Sequence, residues 1–158
     1  MYARNSAAGT GASAYAAVGL QSAAMSASPH QLITMLFDGT KTAITMARHH
    51  MANGEIAAKG NAISKAINII DNGLKASIDA EAGGAAGAAL AANVSALYDY
   101  IKQRLMYANL RNDPALLDEA DRLLDNISSA WREIDPHKPS YAPDASDAPA
   151  ATRLSIGA

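Results

Sequence analysis

Residues 28–51 read SPHQLITMLFDGTKTAITMARHHM, and this stretch decides the fold. Ser28 is a natural N-cap, because its hydroxyl accepts from an orphan backbone N–H of the first turn. Pro29 takes the first helical position, where a missing N–H costs nothing, and Gln31 completes a Ser-x-x-Gln capping box. Asn53-Gly54 supplies the matching stop. A long helix therefore fills this stretch. Leu32, Leu36, Gly39, Ala43, Ala47 and His50 form one seam at helical spacing. Ile33, Phe37, Thr40, Ile44 and Met51 flank it on one side, Met35 and Met46 on the other. Roughly half the circumference is apolar, more than a helix with a single neighbour needs. Two readings follow: the helix is central to a bundle, or part of its surface waits for a partner.

Working outward, a second helix begins near Glu55. Ile56, Ile63, Ile67, Ile70, Leu74 and Ile78 make a narrow seam, with Lys59, Lys65, Asp71, Lys75 and Asp79 facing water. Gly60 and Gly73 interrupt its uniformity, and a glycine-rich crossing follows at 82–87. The third helix is expected over about residues 88–112, with Leu90, Val94, Leu97, Ile101, Leu105 and Ala108 as its core seam. Tyr98 borders that seam on one side. Tyr100, Arg104, Tyr107 and Arg111 line up on the other. Such a stripe either caps the packing with its hydroxyls wet or matches the composition of docking hot spots. Both readings stay open on sequence. Asp113-Pro114 is another cap plus first-position proline, so the turn is short and the third and fourth helices are antiparallel neighbours. Leu116, Ala120, Leu123, Leu124, Ile127, Ala130, Trp131 and Ile134 share one face of the fourth helix, which Asp135-Pro136 ends.

The expected architecture is all-α: an antiparallel four-helix bundle over residues 28–135. Residues 1–27 form a flexible Ala/Gly/Ser-rich arm in which Tyr15, Val18 and Met25 give a faint amphipathic signal. Residues 136–158 form a Pro/Ala-rich, disordered tail.

Composition excludes much. Hydrophobic residues make up 49% of the chain but aromatics only 5%, so alanine carries the apolar count, as in helical folds. The net charge of −2 and the absence of a basic cluster argue against nucleic acid. With no cysteine there is no disulfide or thiolate chemistry. No apolar run reaches a membrane span of about 20 residues, and the N-terminus lacks a signal-peptide core. A cytoplasmic protein without membrane insertion follows.

Catalytic chemistry is also absent by this reading. Glu55, Glu81, Glu119 and Glu133 have no histidine three residues on, so the inward Glu-x-x-His pairs of di-iron bundles are missing. His49 and His50 adjoin a helix stop without a basic pocket, which disfavours phosphotransfer. Zinc-ligand spacing is missing. No enzyme, no metal and no cofactor is expected.

Two stretches together carry a resemblance. Ser26 through Gly39, SASPHQLITMLFDG, is similar to the A-S-P-x-x-L-I-x-M-L-Y-D-G-A segment of the flagellin export chaperones, the FliS family. Leu97-Tyr98-Asp99-Tyr100-Ile101, Arg104-Leu105 and Ala108-Asn109 resemble that family's L-Y-D-Y-I-x-x-R-L-x-x-A-N. Ala130-Trp131 falls where the family has a late tryptophan, and Ala14-Tyr15 looks like its tyrosine-bearing arm. Phe37 stands in place of the usual tyrosine, and Thr40 in place of alanine.

The resemblance implies a chaperone that binds the disordered C-terminal segment of flagellin, prevents premature polymerisation and delivers subunits to the flagellar type III export gate. On a preformed apolar surface that segment folds as helices with the bundle as template. Expected flagellin contacts are Ile33, Met35, Phe37, Ile44, Tyr98, Tyr100, Arg104, Tyr107 and Asn109. Leu32, Leu36, Leu97, Ile101 and Leu105 are expected in the core. The arm around Tyr15 and Val18 is expected to act as a lid when no client is bound. A regulator of other flagellar factors using the same groove is the alternative. Weak homodimerisation of the client-free chain through that groove stays open.

Overall fold

A computed structural model of the chain describes residues 27–79 and 84–135. The helices are α1 (Pro29–Ala52), α2 (Ile56–Ile69), α3 (Gly84–Arg111) and α4 (Pro114–Glu133), and a π-helical segment, Ile70–Lys75, prolongs α2. Among the described residues there is no strand.

The boundaries are set locally. The Ser28 hydroxyl accepts from Gln31 N at 3.2 Å while Gln31 Oε1 accepts from Ser28 N at 2.9 Å, the reciprocal capping box. At the other end of α1, Gly54 takes φ +68°, a conformation cheap only for glycine, so that α2 can turn back along α1. The α3–α4 turn is as economical. Asn112 adopts φ 54°, Asp113 N donates to Ala108 O at 3.2 Å as in a Schellman closure, and the Asp113 carboxylate caps Ala115 N at 3.0 Å. Pro114 starts α4.

The four helices pack in a ring, each on its neighbours in sequence and α1 on α4. Ion pairs mark the antiparallel register. Along α1 and α4, Asp38 meets Arg132 at 2.9 Å, Lys41 meets Asp125, and Arg48 meets Asp118 at 2.7 Å. On the α2–α3 side, Asp71 meets Lys102 and Lys75 meets Asp99, both at 2.6 Å. The hydrogen bond shared by Lys75 and Asp99 raises the pKa of the ammonium and lowers that of the carboxyl. Such exposed pairs are screened by solvent and contribute little stability; the core does most of that work. Phe37, Ile44, Ile63, Ile70, Ile101, Leu105, Leu117 and Leu124 are sealed inside it.

Several expectations need correction. Lys59, read as solvated, is buried: its ammonium donates to Asn109 O at 3.1 Å and to Asn112 Oδ1 at 3.0 Å. It thus satisfies the C-terminal end of α3, where the helix dipole favours a cation. Leu117, absent from the predicted α4 face, is fully buried, whereas Ile56, Leu90 and Ile134, each placed in a seam, are exposed. Leu32, expected in the core, is 38% exposed, and Leu36 and Leu97 are half-buried. The π-helical segment was not foreseen either. At Gly73 an added Cβ would lie 3.0 Å from Leu36 Cδ2, so Leu36 of α1 packs directly on the glycine of this segment and would have to shift for a larger residue.

Candidate functional site

The open end of the bundle follows from one mismatch of lengths. The 28 residues of α3 pack beside an α2 of only 14 residues and its six-residue π-helical extension. The seam of the C-terminal half of α3 is therefore covered, and that of its N-terminal half only in part. On one seam, Ile101, Leu105 and Ala108 are inaccessible, Val94 and Leu97 are half-buried, and Leu90 is 64% exposed.

What this leaves is an apolar groove of about 570 Å³. α1 contributes Ile33 and Phe37; the end of the α2 extension contributes Leu74 and Ile78; α3 contributes Leu90, Val94 and Tyr98; α4 contributes Ile127, Trp131 and Ile134. Asp79 is the one charged side chain among its described lining residues. The wall at Trp131 is held in place. Its indole stacks on His30 with ring centroids 4.5 Å apart and an interplanar angle of 8°, and its Nε1–H donates to His30 O at 3.1 Å. The one polar atom of the indole is thereby satisfied, and its apolar face remains for the groove. On the floor, burial pushes the Tyr98 hydroxyl up to about 12.

The nine side chains expected to contact a client do not converge on one surface. Ile33, Phe37 and Tyr98 line this groove, although Phe37 and Tyr98 are 1% and 3% exposed and serve as its floor. Ile44 is sealed in the core, because α1 is flanked by both α2 and α4 and buries that flank between them. Met35 is half-buried and outside the groove lining. Tyr100 and Arg104 belong to the α3–α4 seam: Tyr100 Oη donates to Glu119 Oε1 at 2.5 Å, and the Arg104 guanidinium lies 4.6 Å from the Tyr100 ring centroid. The bond to Glu119 raises the Tyr100 pKa. Tyr107 and Asn109 line a second depression between α2 and α3, beside Ile67, Met106 and Leu110. Tyr15 and Val18 lie outside the described residues.

Leu74, Ile78, Leu90, Val94, Ile127, Trp131 and Ile134 were not named as client contacts, because their helical spacing read as core. The predicted spans gave no warning, because the second helix read from Glu55 to the crossing at 82 and the third over 88–112, about equal in length.

The groove offers shape and apolar surface but no reactive constellation. Among the described residues no group of three His, Cys, Asp or Glu side chains could hold a metal ion. No helix among them is long and apolar enough to cross a membrane. A cleft of this kind suits an amphipathic helix.

Residues 11–138 match the family model described as flagellar protein FliS. The chain belongs to the FliS family. Among FliS relatives, the flagellar secretion chaperone of Salmonella typhimurium (strain LT2) is 55% identical over 127 residues, covering 80% of this chain and 91% of the relative. The flagellar secretion chaperone FliS of Escherichia coli (strain K12) is 47% identical over 123 residues, covering 78% and 88%. FliSB of Pseudomonas aeruginosa, also a flagellar secretion chaperone, is 40% identical over 120 residues, covering 76% and 91%.

Proposed function

We propose that this chain is a cytoplasmic chaperone of flagellar type III secretion whose client is flagellin. It binds the disordered C-terminal segment of flagellin, keeps subunits from polymerising early and delivers them to the export gate. The observation that carries this reading is the open end of the bundle, where Leu90 and Ile134 stand exposed around an apolar groove. A segment with apolar side chains at helical spacing cannot offset its own ordering entropy in water. Laid against Leu90, Val94 and Trp131 it buries those side chains and folds as it binds. Coupled folding of this kind costs about 2–5 kcal/mol of the gross interaction energy, which keeps the complex reversible at the export gate.

Titrating a flagellin C-terminal peptide into the full chain tests this, followed by circular dichroism and by the emission of Trp131, the chain's one tryptophan. Helicity should rise above the sum of the two components, and Trp131 emission should shift. Leu90→Asp should abolish both changes while leaving the melting temperature close to that of the parent. No gain in helicity, or undiminished binding by Leu90→Asp, would sink the proposal. A helical-bundle regulator of other flagellar factors remains the rival role, and a factor that uses the same groove would compete with the peptide.

A further inference from the structure

We infer that the C-terminal segment of this same chain, residues 150–158, is a resident occupant of the groove at the open end, which a client must displace. The proposal concerns regulation of the site read above as the flagellin site, and it takes that reading only for the client's identity.

The first support is where the described chain stops. Ile134 is part of the groove lining and Asp135 is the last described residue of the C-terminal side, so residues 136–158 depart from the groove's own rim. The second is how apolar side chains are distributed along those 23 residues. Pro136, Pro139, Pro143 and Pro149 punctuate a run that, apart from Tyr141, is of small and polar residues, and the large aliphatic side chains, Leu154 and Ile156, come together at its end in Arg153-Leu154-Ser155-Ile156. The third is that the family match ends at residue 138, so this aliphatic pair lies outside the part of the chain shared with the family model.

Tether length makes even a weak contact count. A flexible linker of about 20 residues has a root-mean-square span of about 25 Å, and proline lengthens it. The partly covered stretch of α3, from Leu90 to Tyr98, spans only about 12 Å at helical rise. The groove is therefore within reach of Leu154, and a short tether presents its end at an effective concentration in the millimolar range. Two aliphatic side chains that bind only weakly as a free peptide, with a dissociation constant of about a tenth of that concentration, then occupy the groove for about nine-tenths of the time. A client sees an affinity reduced by the fraction of time the groove is vacant.

The test uses the full-length chain with Leu154→Asp and Ile156→Asp together, which leaves the described residues untouched. Circular dichroism should show unchanged helicity. Without any client, Trp131 emission should shift to longer wavelength in the double variant as the indole face becomes wet. A synthetic peptide of residues 150–158 added in excess should reverse that shift. The flagellin C-terminal peptide should bind the double variant about tenfold more tightly, as expected if the groove is vacant about a tenth of the time in the parent. Unchanged emission together with unchanged client affinity overturns the proposal. So does an emission shift produced only by deleting residues 1–26, which would make the N-terminal arm the occupant. Emission that tracks protein concentration and ignores the substitutions overturns it too, in favour of a second copy of the chain. An emission shift in the double variant, reversed by the 150–158 peptide but with no flagellin binding by either form, upholds the proposal and instead defeats the assignment of flagellin as client.

Discussion

Along α3, Ile101, Leu105 and Ala108 are sealed from solvent, whereas Leu90, on the same seam of the same helix, is 64% exposed. The two halves share a helical period, an apolar identity and an orientation toward the bundle axis. They differ in whether other helices reach far enough to cover them. The C-terminal half is enclosed, and its end is finished by Lys59, which reaches across from α2 to bond Asn109 O and Asn112 Oδ1. The N-terminal half runs past that cover and lines a groove. A periodic apolar seam thus states what a helix can bury, and the neighbouring elements decide what it does bury.

The widest separation between the halves should come from truncating their seam residues. Leu105→Ala removes a fully buried side chain and should cost about 2–5 kcal/mol in denaturant unfolding. Leu90→Ala should stay within about 0.5 kcal/mol of the parent, yet weaken client binding measurably in a peptide titration. If both substitutions cost the same stability, the distinction between the halves is wrong.

The next effect concerns the finished end. Lys59→Ala leaves two acceptors of the α3 terminus without their donor, and should lower stability by about 1–3 kcal/mol. Lys59→Arg keeps the charge but not the geometry and should recover only part of it. A Lys59→Ala melting curve matching the parent's would remove Lys59 from the closure.

A third difference appears in alkali. The buried Tyr98 hydroxyl ionises at about 12 in the folded chain, against about 10 when unfolded. Below pH 10 both states keep the proton and its contribution is unaffected. Between pH 10 and about 12 the unfolded chain loses its proton first, so stability falls as pH rises. Tyr98→Phe should flatten that part of the stability–pH curve. The smallest effect belongs to the α3–α4 surface seam: Tyr100→Phe removes the bond to Glu119 from a side chain already 37% exposed. It should move the denaturant midpoint least of all these substitutions.

The legible parts of the fold were those written in neighbouring residues. Ser28 with Gln31, Asn53 with Gly54, and Asp113 with Pro114 fix helix ends through contacts a few positions away, and those ends appear where the sequence put them. Burial was legible only in part, because it depends on distant elements. Phe37 and Ile44 lie on a flank of α1 whose broad apolar pattern left open a surface awaiting a partner, and Tyr98 borders the α3 seam; all three were expected as client contacts, and neighbouring helices bury them. Lys59 read as solvated since its acceptors lie about fifty positions further along the chain. The π-helical turn at Ile70–Lys75 was hidden for a related reason: Gly73 reads as a helix weakener until Leu36 is seen packed against it. At the site, Ile33 was named from the α1 pattern and does line the groove, whereas Leu90, Trp131 and Ile134 passed for ordinary core.

The partly covered half of α3 also leaves a calorimetric mark. With the groove vacant, as in the Leu154→Asp, Ile156→Asp double variant, side chains such as Leu90 are hydrated in the native state, so unfolding exposes less new apolar surface than it would from a bundle closed at both ends. The heat-capacity increment and the denaturant slope should both be small for a helical domain of this length. Anything that seats against Leu90 and Trp131 should raise both quantities, and its association should carry a negative heat-capacity change of its own.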